Sequence, residues 1–231
     1  MSVRTDPFVN PQSAIRMKWN LPNELTVGRI VLAAVFFALL GAYDPVPQRT
    51  WTLNAALAIY IVAGITDVLD GWLARRMNLT SSFGRIVDPF VDKVLVVGAF
   101  AMLTGSNFML PSPPAGAAGA IDRELPPWLT GHMSSAVQAW MVVVILAREF
   151  IVSAVRGYSE SQGAKFPATP AGKIKMFVQS VAICTVLFQL ANLPEARWAV
   201  VLKVALVWAA VVVTLVSSLA YVGKARKLLG G

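Results

Sequence analysis

Histidine and cysteine are almost missing from this chain of 231 residues, which contains one of each. The lone Cys184 excludes an intramolecular disulfide and, lying inside an apolar run, carries no information on redox compartment. The lone His132, at a predicted helix start away from the acidic motif described below, argues against histidine-based catalysis and a His-rich metal site, and it reads as an interfacial residue. Charge is also scarce: Asp, Glu, Lys and Arg make up 14% of the residues, and only twelve of them are acidic. No internal repeat or separate soluble domain is visible, and residues 1–20 lack the apolar core of a signal peptide, so they are expected to stay in the cytoplasm.

Apolar residues dominate instead. At 56% hydrophobic content and a mean hydropathy of +0.63, the chain is too apolar for a soluble domain of its length, and an all-α polytopic membrane protein is expected. The net charge of +8 could suggest nucleic acid, but there is no soluble basic domain or basic-aromatic platform. Membrane lipids with anionic headgroups are the expected partners, and nucleic acid is not.

Six apolar stretches have spanning length: residues 22–43, 51–75, 83–105, 133–156, 172–193 and 196–222. Most flanking Lys and Arg fall on one side, whereas only Arg49, Arg123 and Arg197 fall on the other. By the positive-inside rule both termini are cytoplasmic. Residues 1–21 form a cytoplasmic segment in which 13–19 could lie on the membrane as a short juxtamembrane amphipathic helix anchored by Ile15 and Trp19. Residues 22–223 form the six-helix domain, and 224–231 a basic tail. The link 106–132, rich in Pro, Ala and Gly, reads as a spacer outside the cytoplasm, with Trp128 as an interface anchor.

Against this scarcity of charge, residues 67–92 hold four of the twelve acids. Asp67 and Asp70 close the second apolar stretch, and Asp88 and Asp92 open the third. At ~100° per residue the members of each pair diverge by only about 60° and 40°, so each pair shares a helical face. The short link makes the two helices antiparallel neighbours whose carboxylates converge. Such a group needs a cation among its members, because desolvation and mutual repulsion otherwise disfavour ionisation. Mg²⁺ or Mn²⁺ suits an all-oxygen site that leaves positions for phosphate oxygens. Gly71 and Gly84 remove side chains beside the acids, and Arg75 can grip a phosphate bidentately. Thr26 and Arg29 are the early candidates from the first helix.

The pattern Asp67-x-x-Asp70-Gly71-x-x-Ala74-Arg75, eight residues, Gly84-x-x-x-Asp88-x-x-x-Asp92 resembles the signature of the CDP-alcohol phosphotransferase family at every fixed position. Pro22-Asn23-Glu24-Leu25-Thr26, Asp88-Pro89-Phe90-Val91-Asp92-Lys93, the Arg148 to Arg156 segment and Gly172-Lys173-Ile174-Lys175-Met176 extend the resemblance toward the branch that uses sn-glycerol 3-phosphate. Val91 and Met176 depart from the usual alanine and threonine.

The resemblance implies transfer of a phosphatidyl group from CDP-diacylglycerol to sn-glycerol 3-phosphate, with CMP leaving. It implies that Asp67, Asp70, Asp88 and Asp92 hold two divalent ions, with Asp92 also the general base. Gly71, Ala74, Arg75, Gly84 and Thr26 would shape the nucleotide and phosphate pocket. It also implies a homodimer and a bacterial cytoplasmic (inner) membrane location, with the chemistry facing the cytoplasm. Arg148, Arg156 and Lys173 are the candidate acceptor-binding cations, with Glu149 orienting one arginine or pairing with Lys173. Lys165, Lys175 and the basic tail read as positive-inside anchors. A sister transferase with serine, inositol phosphate or phosphatidylglycerol as acceptor, an ion-coupled transporter, and a scaffold with a polar seam are the competing readings.

Overall fold

The computed structural model describes residues 21–45, 50–77, 82–110, 125–162 and 170–229. Within them the chain forms seven α-helices: α1 (Leu21–Gly41), α2 (Thr50–Met77), α3 (Ser82–Met102), the short α4 (Pro127–Thr130), α5 (Ala139–Ser161), α6 (Pro170–Asn192) and α7 (Arg197–Leu229). No strand occurs among the described residues, where an antiparallel bridge joins Met109 to Met133. The expected amphipathic helix at 13–19 lies outside the described residues.

Helical periodicity explains the assembly. On α1 the buried positions are Thr26, Arg29, Ala33, Phe36 and Leu40, a 3,4 repeat that keeps one stripe inward and that Tyr43 continues just past the helix end. On α2 the stripe runs through Leu53, Ala56, Tyr60 and Ala63 and reaches the partly buried Asp67. On α5 it runs from Met141 and Ile145 to Arg148, Glu149 and Val152. The six long helices pack in a closed circuit, α1 on α2, α2 on α6, α6 on α7, α7 on α5, α5 on α3 and α3 on α1, while α3 also reaches across to α6.

Among the described residues, three helices are long and apolar enough to cross a membrane: Thr50–Leu69, Gly172–Asn192 and Arg197–Ser218. Their outward faces expose Ile61, Val62, Ile65, Phe188, Val212 and Val216. Water would not tolerate a continuous belt of this kind. The interior, in turn, holds the polar pairs: Tyr60 Oη donates to Ser180 Oγ (3.3 Å), and Gln179 Nε2 to Thr214 Oγ1 (2.9 Å). Apolar outside with polar contacts inside is the pattern of a membrane protein. Helices α1 and α3, of 21 residues each, and α5, of 23, are comparable in length but carry charges on their inward stripes.

The link 106–132 is more than the spacer expected from composition. Its described parts fold into the end of the bundle remote from the acids, with Phe108 and Thr130 buried. The fourth long helix, α5, therefore begins at Ala139 and not at 133. The chain turns through left-handed backbone at Gly131, His132 and Ala136, so His132 sits in this turn. Lys203, fully buried on α7, holds the turn by donating to the Ser134 carbonyl (2.6 Å) and to Gln189 Oε1 (2.9 Å). Trp128 is exposed, and Trp208 Nε1 donates to the Leu129 carbonyl (3.0 Å).

Gly98 on α3 lies against the Phe37 ring of α1: a Cβ built there would lie 2.5 Å from Phe37 Cζ. Gly98→Leu is expected to force the helices apart and to cost about 1–3 kcal/mol. It should lower the thermal unfolding midpoint in detergent, whereas Gly157→Ala, with nothing within 4 Å of the added Cβ, should not. Equal midpoints for the two variants would refute close packing at this crossing.

Candidate active site

All the charged positions discussed here fall at one end of the bundle, where the inward stripes change from apolar to ionic. Arg29 is the pivot. Its guanidinium is 3% exposed, donates through Nη1 to Asp67 Oδ1 at 2.8 Å, and donates through Nη2 to Asp92 Oδ1. One α1 side chain therefore joins one carboxylate from α2 and one from α3. Thr26, one turn earlier on the same stripe, is also buried. Asp67 and Asp92 keep 38% and 23% of their side-chain surface, so the cluster is reached from outside through its carboxylates.

Asp70, Gly71, Ala74 and Arg75 lie on the last turns of α2, and Gly84 and Asp88 on the first turns of α3. The side chains at these six positions lie outside the described set. Among the described residues no three of His, Cys, Asp and Glu gather in one group. Two carboxylates from different helices are drawn to one cationic group, so the folded chain already places positive charge between them.

A second ionic cluster adjoins the first. Lys93, the residue after Asp92, donates from Nζ to Ser153 Oγ on α5 at 2.6 Å, and Ser153 Oγ donates to the Glu149 carbonyl at 2.6 Å. Glu149 Oε1 accepts from Arg148 Nη1 at 3.1 Å and also from Lys175 Nζ on α6. Arg148, Glu149 and Lys175 are 7%, 7% and 4% exposed, so their interactions are not weakened by full solvation. Further along α5, Arg156 carries a buried Nε with no hydrogen-bond partner among the described residues.

Two expectations change here. Lys175, read from sequence as a membrane-surface anchor, is a buried member of the ionic cluster. Lys173 is exposed, and the partners of Glu149 are Arg148 and Lys175. The physical reason is angular. Residues 173 and 175 are separated by about 200° on a helix, so only one of them can share the inward stripe. Lys175 continues the line of Gln179, Ile183 and Val186, and that register with a polar and apolar series was the available signal. Arg29 was likewise legible from its alignment with Thr26, Ala33 and Phe36.

Residues 19–216 match the family model described as CDP-alcohol phosphatidyltransferase. The chain is 32% identical over 218 residues to the CDP-diacylglycerol–glycerol-3-phosphate 3-phosphatidyltransferase of Bacillus subtilis (strain 168), a match covering 89% of this chain and 95% of that protein. It is 32% identical over 212 residues to the proteins of the same description from Escherichia coli (strain K12) and Shigella flexneri, covering 91% of this chain and 97% of each. With a family match spanning nearly the whole bundle, and with Asp67 of α2 and Asp92 of α3 joined through Arg29, the chain belongs to the CDP-alcohol phosphatidyltransferase family.

Proposed function

We propose that this protein transfers the phosphatidyl group of CDP-diacylglycerol to sn-glycerol 3-phosphate. The observation that carries the choice of acceptor is the second cluster. Lys93, Arg148 and Lys175 supply three positive charges against the single negative charge of Glu149, immediately beside Asp92. With Arg148, Lys175 and Glu149 buried and Lys93 half-buried, this excess of positive charge calls for an anion, and a phosphomonoester supplies it. A neutral acceptor would leave that excess unbalanced. The names of the relatives support the same substrates.

In this reading Asp67, Asp70, Asp88 and Asp92 hold two divalent ions, Mg²⁺ or Mn²⁺. When bound, the ions neutralise the pyrophosphate and lower the pKa of an adjacent hydroxyl. Gly71, Ala74, Arg75, Gly84 and Thr26 form the nucleotide and phosphate wall. Asp92 takes the proton from the free primary hydroxyl of the acceptor. The hydroxyl oxygen bonds to the phosphatidyl phosphorus, the pyrophosphate P–O bond breaks, and CMP leaves with the electron pair. Arg148 and Arg156 hold the acceptor phosphate, and Lys173, exposed at the same helix end, draws it in. The chain would cross a bacterial inner membrane six times with both termini and the acids on the cytoplasmic side, and would act as a homodimer. Acyl chains then stay in lipid while headgroups react at the interface.

CMP release by the purified protein should depend strictly on a divalent cation. Asp88→Asn should abolish it while the protein remains folded in detergent, because the amide keeps the shape and withdraws a balancing charge. Full turnover in excess chelator would sink the metal assignment.

Given CDP-diacylglycerol and Mg²⁺, the protein should release CMP with sn-glycerol 3-phosphate and far less with serine, inositol or phosphatidylglycerol. Arg148→Ala and Arg156→Ala should each raise the acceptor KM by roughly ten- to a hundredfold, the equivalent of about 1.5–3 kcal/mol per charge-assisted contact. The donor KM should move little. Preference for a neutral acceptor, or unchanged acceptor kinetics in both variants, would reject this substrate.

A further inference from the structure

We propose that Lys93 is a specificity-determining residue for the acceptor, a cation that contacts the phosphate of sn-glycerol 3-phosphate while the neighbouring Asp92 acts on its hydroxyl, and that Ser153 is the residue that positions it. The inference rests on the acceptor reading above and deepens it.

Local chemistry on α5 prepares the partner. Ser153 lies one turn after Glu149, and its hydroxyl donates to the Glu149 carbonyl at 2.6 Å, the back-bond that a serine makes inside a helix. A hydroxyl carries one proton, so toward α3 the Oγ atom can only accept. Lys93 Nζ meets it there at 2.6 Å. The bond fixes the tip of a long side chain across the contact between α3 and α5 without neutralising it. Among the described residues no carboxylate forms an ion pair with Lys93, and the serine occupies one of the three donors of its ammonium.

Accessibility separates Lys93 from its neighbours. Arg148 and Lys175 are 7% and 4% exposed and both pair with Glu149, whereas Lys93 is half-buried. Of these three cations it offers an incoming anion the most surface. A charge held away from full solvation without a counter-charge is stabilised by an anion that supplies one. Position then selects the anion. Lys93 follows Asp92 directly, and consecutive helical residues diverge by about 100°, so ammonium and base face adjoining sectors at the same level of the bundle. A small molecule with a hydroxyl at one end and a phosphate at the other reaches both. Two other roles make different predictions: a lysine that only ties α3 to α5 is matched in effect by loss of Ser153, and one that only balances the Asp92 charge acts on kcat.

The test uses full-length protein in detergent with CDP-diacylglycerol, Mg²⁺ and sn-glycerol 3-phosphate, reading acceptor KM, donor KM and kcat separately. Lys93→Met should raise the acceptor KM about tenfold, the scale of one charge-assisted contact, with donor KM and kcat nearly unchanged. Lys93→Arg, which keeps the charge, should stay within about threefold of the parent. Ser153→Ala should raise the acceptor KM about threefold and Ser153→Thr restore it, while Lys93→Met/Ser153→Ala should be no worse than Lys93→Met, because the serine acts through the lysine. If Lys93→Met does not fold, Lys93→Gln, which keeps a donor and removes the charge, decides alone with the same expected rise. An unchanged acceptor KM, a loss confined to kcat or to donor KM, or additive effects in the double variant overturn the inference while leaving the acceptor assignment standing. A parent protein that does not turn over sn-glycerol 3-phosphate overturns the acceptor assignment and the inference with it.

Discussion

Three helices meet at one guanidinium. Arg29 binds Asp67 and Asp92 from inside the bundle, and this contact governs the charged end of the molecule, because carboxylates from separate helices repel unless a cation holds them. Removing one partner of a buried ionic group commonly costs about 3–5 kcal/mol, since the remaining charge is stranded. Arg29 thus lets the apolar bundle hold Asp67 and Asp92 together. Its two bonds leave each carboxylate partly exposed, so the acids are held together without being sealed off.

The neighbouring cluster is built on the opposite imbalance. Around Arg29, negative charge exceeds positive among the described groups; around Glu149, positive exceeds negative. One end of the bundle therefore presents an acidic half suited to cations and a basic half suited to anions, side by side on α3. The remote end does different work: Lys203 fastens the 131–138 turn across α6 and α7, closing the bundle where no candidate site residue lies.

Much of this was readable from the residues. The long helices follow from apolar runs of spanning length, and their observed limits fall close to the expected ones for α1, α2, α3 and α6. The acids on α2 and α3 were marked by their rarity and spacing. Less legible was the folded turn before α5, because Pro, Ala and Gly read as spacer until Phe108 and Thr130 are seen buried. Partner choice in the basic cluster was also hidden: the sequence shows that Glu149 lies beside Arg148, but the distance to Lys175 depends on how α5 and α6 sit across the circuit. Register along a single helix was enough to separate Lys175 from Lys173; pairing between helices was not.

Asp92 and Lys93 belong to different halves of the site yet are consecutive in the chain, Asp92 turned to Arg29 on α1 and Lys93 to Ser153 on α5. Their Cα atoms are fixed by one peptide unit, about 3.8 Å apart. The α3 members of the two clusters therefore keep a spacing set by covalent geometry, whatever the neighbouring helices do in a fluid bilayer.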